Sequence, residues 1–285
     1  MSQHRSAATR KVELHYGATT DVGKVRSVNE DSYLAAPPVF VVADGMGGHE
    51  GGDVASRIVV EVFAELVDTE HDARSGAAAI AELLVRAQKE INQYALEQRL
   101  GGGREGAFRW YAGTTAVVGL LVGDDDGPKW LLANLGDSRI YRLDAGTLEQ
   151  VSVDHSVVQE LLEAGTITED ELETHPERHV VTRALGGPDN AEADYFLLPL
   201  TAVERLMLCS DGINGMIDDR AIEQILQEVG DPRDAADQLV AAALEAGGRD
   251  NATAVVVDVV GLLTDDARGS ASEGVSLEQK LGALP

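Results

Sequence analysis

The chain has 285 residues, 44% hydrophobic and 25% charged, the balance of a soluble globular protein that can bury a sizeable core in one large or two small domains. Its 49 acidic residues against 23 basic ones give a net charge of −26, a field that repels nucleic acid and anionic membranes and excludes both as expected partners. The same acidity suits a protein that gathers divalent cations, although solubility alone accounts for most of it.

Residues 1–11 are polar, lack the apolar stretch of a secretory signal, and read as a flexible lead. No apolar run approaches the ~20 residues of a membrane helix, so a cytoplasmic protein is expected. Val12 to Ala18 reads as a first strand. The compact polar cluster Arg26-Ser27-Val28-Asn29-Glu30-Asp31 follows, and Pro37-Pro38 precede the next strand.

That strand, Val39-Phe40-Val41-Val42-Ala43, is rich in the β-branched residues that favour extended structure. It stops on Asp44 and enters the bend Gly45-Met46-Gly47-Gly48-His49. A carboxylate is thereby held at the rigid end of a buried strand. A single Asp-Gly pair is more often only a turn.

From about Asp53, Val54, Ile58, Val62 and Leu66 recur every fourth residue and predict a helix. A second helix is predicted over 73–99, closed by Gly101-Gly102-Gly103. Both apolar stripes read as core. Residues 113–122 predict one long strand, and the Asp124-Asp125-Asp126-Gly127 turn leads into another over 129–134. The three aspartates lack the later glutamate of a calcium loop and read as a solvated turn.

A further carboxylate, Asp137, follows Gly136 ahead of a strand over 140–143. A short strand is expected over 149–153, then Asp154-His155-Ser156, a helix over 157–164, and an exposed insertion through residue 182. Arg183-Ala184-Leu185-Gly186 returns the chain to the body. The apolar run Arg205 to Cys209 repeats the earlier device and delivers Asp211 to a strand end. Cys209 is the chain's single cysteine, cannot form an internal disulfide, and reads as a buried thiol. Helices over 220–228 and 232–246, Asp250-Asn251 and a last strand over 253–260 complete the pattern. Residues beyond about 263 read as a mobile tail.

Strands in groups with helices between them argue for an α+β sandwich of antiparallel sheets packed together, with helices outside. No linker divides the chain, so one domain over 12–262 is expected.

Glu30, Asp31, Asp44, Asp137, Asp211 and Asp250 would be costly to cluster without a counter-charge. No cysteine or histidine set has zinc spacing, so hard, oxygen-seeking Mg²⁺ or Mn²⁺ fits best. Two such ions ~3.5–4 Å apart can turn a shared water into hydroxide near neutral pH and direct it at phosphorus. Arg26 is the nearest base. Its fork suits phosphate, and a surface salt bridge with Glu30 fits the spacing equally well.

Taken in order, the segments Arg26 to Asp31, Asp44 to His49, Gly113-Thr114-Thr115, Asn134 to Arg139, Asp154-His155-Ser156, Arg183 to Gly186, Ser210-Asp211-Gly212 and Asp250-Asn251 resemble the metal-dependent serine/threonine protein phosphatases of the 2C type, especially compact bacterial members. The resemblance covers about residues 12–260. It implies a four-layer α-β-β-α sandwich with two central, mainly antiparallel sheets.

It further implies that Asp44 bridges two metals, Asp211 and Asp250 complete the first site, and Glu30 with the Gly45 carbonyl serves the second. Asp31 holds the waters of that second site. Asp137 matches the position that holds a third metal with Asp211 in bacterial members, and Arg26 matches the phosphate-binding arginine. Residues 155–182 correspond to a flap beside the active site.

Met46 stands where some relatives carry a histidine proposed as the acid. His49 is an alternative acid, though a role in holding the glycine turn suits it better.

The implied activity is hydrolysis of phosphoserine and phosphothreonine on proteins phosphorylated by serine/threonine kinases, by a monomer. Two alternatives remain on sequence grounds: a phosphohydrolase of small esters, and a non-catalytic regulator that binds phosphoproteins.

Overall fold

The computed structural model describes residues 11–47, 51–101, 112–124, 127–172, 174–187 and 192–263. The chain begins with β1 (Lys11–Asp21), β2 (Ser32–Ala36), β3 (Val39–Ala43) and the short β4 (Gly45–Met46). Helices α1 (Gly52–Phe63) and α2 (Ala73–Gly101) follow. Next come β5 (Gly113–Thr114), β6 (Ala116–Val122), β7 (Lys129–Leu135), β8 (Arg139–Asp144) and β9 (Thr147–Gln150). The helices α3 (Val157–Glu163) and α4 (Glu169–Leu172) precede β10 (Asp194–Pro199) and β11 (Arg205–Cys209). The last elements are α5 (Asp211–Asn214), α6 (Asp219–Glu228), α7 (Pro232–Glu245) and β12 (Ala252–Leu263).

The strands form two antiparallel five-stranded sheets, ordered β10-β7-β6-β3-β2 and β1-β12-β11-β8-β9, with β4 and β5 as a separate pair. Alternation of side chains along each strand sorts the residues into layers. In β3, Val39, Val41 and Ala43 pack toward α1 and α2, while Phe40 and Val42 face the other sheet. In β11, Met207 and Cys209 pack toward α6 and α7, while Leu206 and Leu208 meet the Phe40 layer. Both faces of the central strands are therefore apolar, and the order is helices, sheet, sheet, helices. Trp130 and Phe40 meet edge to face at 5.8 Å in the middle layer, where truncation of such an aromatic costs about 3–5 kcal/mol.

Arg205 shows how the helical layer is fastened. Its guanidinium pairs with Asp258 at 2.6 Å and donates to the carbonyls of Leu226, Val229 and Gly230. It thus satisfies acceptors that the end of α6 leaves open.

The structure departs from the sequence reading in three places. The strand expected over 113–122 breaks at Thr115, because Gly113-Thr114 pair with Gly45-Met46 and Thr115 is bonded to Asp44 instead. The strand expected over 149–153 lies at Thr147–Gln150. The edge strands β2 and β10 carry no prediction: both are only partly buried and expose large apolar residues (Tyr33, Tyr195 and Leu197), so no alternation of polar and apolar residues marks them. β1 and β12 pair out to Lys11 and Leu263, and the rest of the expected lead and tail lies outside the described residues. Among the described residues, no helix is long and apolar enough to cross a membrane.

Candidate active site

Asp44 is fixed by its own backbone. Its N–H donates to Thr115 Oγ1 at 3.0 Å, and its carbonyl accepts from the Thr115 N–H and Thr114 Oγ1, both at 2.9 Å. At Gly45 a Cβ would stand 2.3 Å from the carbonyl oxygens of both Glu30 and Gly52, so only glycine lets three chain segments meet there. That meeting sets Glu30 beside the N-terminus of α1, where the Gly52 N–H donates to its carboxylate.

Asn251 ties the opposite wall together. Its Oδ1 accepts from the Glu30 N–H at 2.8 Å, and its Nδ2 donates to the carbonyls of Val22 and Val28 at 2.9 and 3.0 Å. The loop before Glu30 and the loop bearing Asp250 are thus one unit. Asp250 accepts from Arg26 Nη2 at 2.6 Å, and no ion pair joins Arg26 to Glu30. Asp211, expected at a strand end, follows β11 after one intervening residue and opens the short helix α5. Asp137 follows Gly136, whose φ of +120° is open to glycine. The Gly136 N–H is held at 3.1 Å by His155 Nδ1, which places the second ring nitrogen toward Asp194 at 3.2 Å.

Arg26, Glu30, Asp44, Gly45, Met46, Asp137, Asp211 and Asp250 all line one open cavity of about 1060 Å³. Asp31 does not reach it. It lies buried behind the floor, where its Oδ2 accepts from Ser210 Oγ and Thr253 Oγ1, both at 2.7 Å. Its Oδ1 is buried and has no hydrogen-bond partner. His49 lies outside the described residues.

Burial is the first cause of an upward pKa shift at Glu30, Asp31, Asp44, Asp137 and Asp211, and neighbouring carboxylates add to it. Asp44 stands well above the usual carboxylate range through burial and the charges of Asp31, Asp211 and Asp137. Asp31 and Asp137 are both pushed up to about 7. Asp211 and Glu30 are raised as well. Two like charges ~4 Å apart repel by about 4 kcal/mol at an effective dielectric of ~20, so a floor of several carboxylates is unfavourable by itself.

A divalent cation answers this arrangement. The donor set is all oxygen, the charges already strain against one another, and Asp31 Oδ1 is an orphaned acceptor aimed at no protein group. Among the described residues, no trio of His, Cys, Asp or Glu side chains closes into a preformed ligand cage. Repulsion keeps charged carboxylates apart until a cation draws them in. The residues therefore fit hard cations that the floor would gather.

The sequence reading gave no role to Asn251 or His155, although both stand in its motifs. It also gave no role to His179, which lines the cavity with Asp211. Their roles depend on contacts between segments far apart in the chain.

The chain matches the family model for Protein phosphatase 2C over residues 24–246. It is 34% identical over 255 residues to the serine/threonine phosphatase stp of Listeria welshimeri, covering 86% of this chain and 96% of that protein. The crystal structure of the serine/threonine phosphatase PstP/Ppp of Mycobacterium tuberculosis is similar with a TM-score of 0.72 and 35% identity, over 86% of this chain and 98% of that one. A structure of the PstP catalytic domain in complex with two manganese ions matches with a TM-score of 0.69 and 33% identity, over 87% of this chain and 99% of that one.

Proposed function

The chain belongs to the protein phosphatase 2C family, and we infer that it hydrolyses phosphoserine and phosphothreonine monoesters on proteins at its carboxylate floor. One observation carries the reading: Glu30, Asp44, Asp137, Asp211 and Asp250 line a single cavity with the phosphate-matching fork of Arg26. Asp44 would bridge two Mn²⁺ or Mg²⁺ ions, with Asp211 and Asp250 holding one and Glu30 with the Gly45 carbonyl holding the other. Asp31 would order water behind them, and Asp137 with Asp211 would hold a third ion. When bound, such ions make a nucleophile from water near neutral pH and neutralise charge on phosphorus.

The protein's own groups do the remaining work. Arg26, steadied by Asp250, offers a planar pair of donors to the phosphoryl oxygens and orients them. The Asp44 backbone, bonded on both edges to Thr114 and Thr115, keeps its carboxylate from drifting. Met46 lines the cavity and has no proton to give, so it does not take the place of the histidine acid that some relatives carry there.

The cavity favours a macromolecular substrate over a small ester. It extends past the floor between residues 156–181 and residues 214–218, a groove wider than a lone phosphate needs. The 156–181 segment is closed at its base by bonds from Val157 to Val180 and from Thr182 to His155, which suits a flap. The regulator reading is disfavoured because Glu30, Asp44, Asp137, Asp211 and Asp250 are all present and line the cavity.

The substrates are proteins phosphorylated by serine/threonine kinases, met in the cytoplasm by a monomer. A panel of phosphopeptides assayed beside small phosphate esters, with metal titration, tests the reading. Preference for the small esters would overturn it.

A further inference from the structure

Four arginines line the cavity: Arg26, Arg139, Arg178 and Arg249. Two are committed. Arg26 is held by Asp250, and Arg139 grips both carboxylate oxygens of Asp154 at 2.8–3.0 Å. The other two are not. Among the described residues, Arg178 makes one long bond to the His175 carbonyl at 3.4 Å, and neither Arg178 nor Arg249 pairs with a carboxylate.

In a chain with 49 acids against 23 bases, an arginine readily finds an acid. Arg57, Arg86, Arg142 and Arg183 all do so at the surface. Arg74, Arg220 and Arg233, which do not, lie on helices outside the cavity. Three of the acids that line the cavity are already engaged: Asp218 caps α6 through the Ala221 N–H, Asp154 holds Arg139, and Asp250 holds Arg26.

Position sharpens the point. Arg178 immediately precedes His179, and Arg249 immediately precedes Asp250, and both of these neighbours line the same cavity. The two guanidiniums thus come from separate segments of the lining, each one residue from another group of the cavity. A substrate peptide lying extended advances about 3.3 Å per residue, so residues next to the phosphoresidue would lie in the same cavity as these arginines.

We propose that Arg178 and Arg249 form an anion subsite that reads a second negative group on the substrate peptide, a carboxylate or a second phosphoryl, close to the reacting phosphoresidue. The subsite deepens the phosphatase reading and rests on it. Guanidinium forks match either group with paired donors. The overall charge of −26 opposes the approach of an acidic peptide, but salt confines that field to about 8 Å at physiological ionic strength. Contact at the two arginines decides the outcome, while the surrounding field rejects acidic chains that do not dock there.

The test uses three phosphopeptides of one length: one with neutral flanks, one with glutamates beside the phosphoserine, and one with a second phosphoserine. kcat/KM is measured for the native chain and for Arg178→Ala, Arg249→Ala, the double variant and both arginine-to-lysine variants. The native chain should favour an acidic peptide over the neutral one by about fivefold or more, a preference that shrinks with added salt. The double alanine variant should bring the ratio to about one, chiefly through KM, and the lysine variants should keep most of it. Preference for the diphosphorylated peptide alone identifies the second group as a phosphoryl. A ratio of one in the native chain, or a ratio unchanged in the double variant, overturns the subsite while leaving the phosphatase reading intact. Failure to hydrolyse any of the three peptides overturns both.

Discussion

Arg26 Nη2 and Asp250 Oδ2 lie 2.6 Å apart, joining residues 224 positions distant in the chain. The guanidinium at the mouth of the cavity is thereby braced by a carboxylate of the floor, and its remaining donors are left to face the cavity. Asp250 in turn accepts from its neighbour's N–H at 2.9 Å, so the pair is anchored in the Asn251 loop.

Arg26→Ala should lower kcat/KM on phosphopeptides about 10- to 100-fold, the worth of one or two charge-assisted hydrogen bonds. Arg26→Lys should recover only part of this, because a point charge does not reproduce the fork. Steady-state kinetics on both variants checks it, and a lysine variant with native kinetics would show that the fork is not used.

Asp44→Ala and Asp211→Ala should each abolish phosphate release and weaken Mn²⁺ binding measured by calorimetry. Asp137→Ala should leave two ions bound and reduce turnover. Asp44→Asn should also be inactive yet melt higher than the native chain in chelator, since it removes a buried charge from a repelling cluster. Each kcal/mol relieved is worth about 2–4 °C. Full activity in either the Asp44 or the Asp211 alanine variant would sink the binuclear reading.

The carboxyl shifts also set a pH dependence. Asp31 and Asp137 are raised to about 7, against about 3.9 in an unfolded chain. Between those values the folded protein binds more protons than the unfolded one. Stability in chelator should therefore fall as pH rises from about 4 to about 7, and then level off. Thermal melts at pH 5 and pH 8 read this directly. Mn²⁺ added at pH 8 should restore the lost stability by binding only the folded state. A chelated protein equally stable at both values would contradict the clustering.

Gly212→Ala tests the packing that places Asp211. A Cβ there would stand 1.7 Å from the Asn251 carbonyl oxygen, while one at Gly230 meets nothing within 4 Å. The first substitution should cost about 3 kcal/mol or more, because backbone cannot give way as a side chain can. Gly230→Ala should stay within about 0.5 kcal/mol. Urea melts of the two variants compare them.

Much of this was legible in the sequence. The valine-rich run before Asp44 and its repeat before Asp211 announce strands buried on both faces, and the fourfold spacing from Val54 to Leu66 announces α1. The edge strands were less legible. β10 exposes Tyr195 and Leu197, so no clean alternation marks it. The break at Thr115 was hidden too, since a run of strand-forming residues does not reveal that one of them is spent on Asp44.

By itself, then, the sequence determined the two-sheet sandwich and marked Asp44 and Asp211 as strand-end carboxylates, because strand periodicity and strand-end Asp-Gly pairs are local properties of the chain. Only the tertiary structure decided which groups face the cavity and which stand behind it. It set Asp31 out of reach behind Ser210 and Thr253, gave Arg26 to Asp250 and not to Glu30, and left Arg178 and Arg249 without acids. The physical reason is that a hydrogen bond or ion pair between residues some 200 positions apart depends on how the two sheets and their loops close on each other, and no local pattern records that closure.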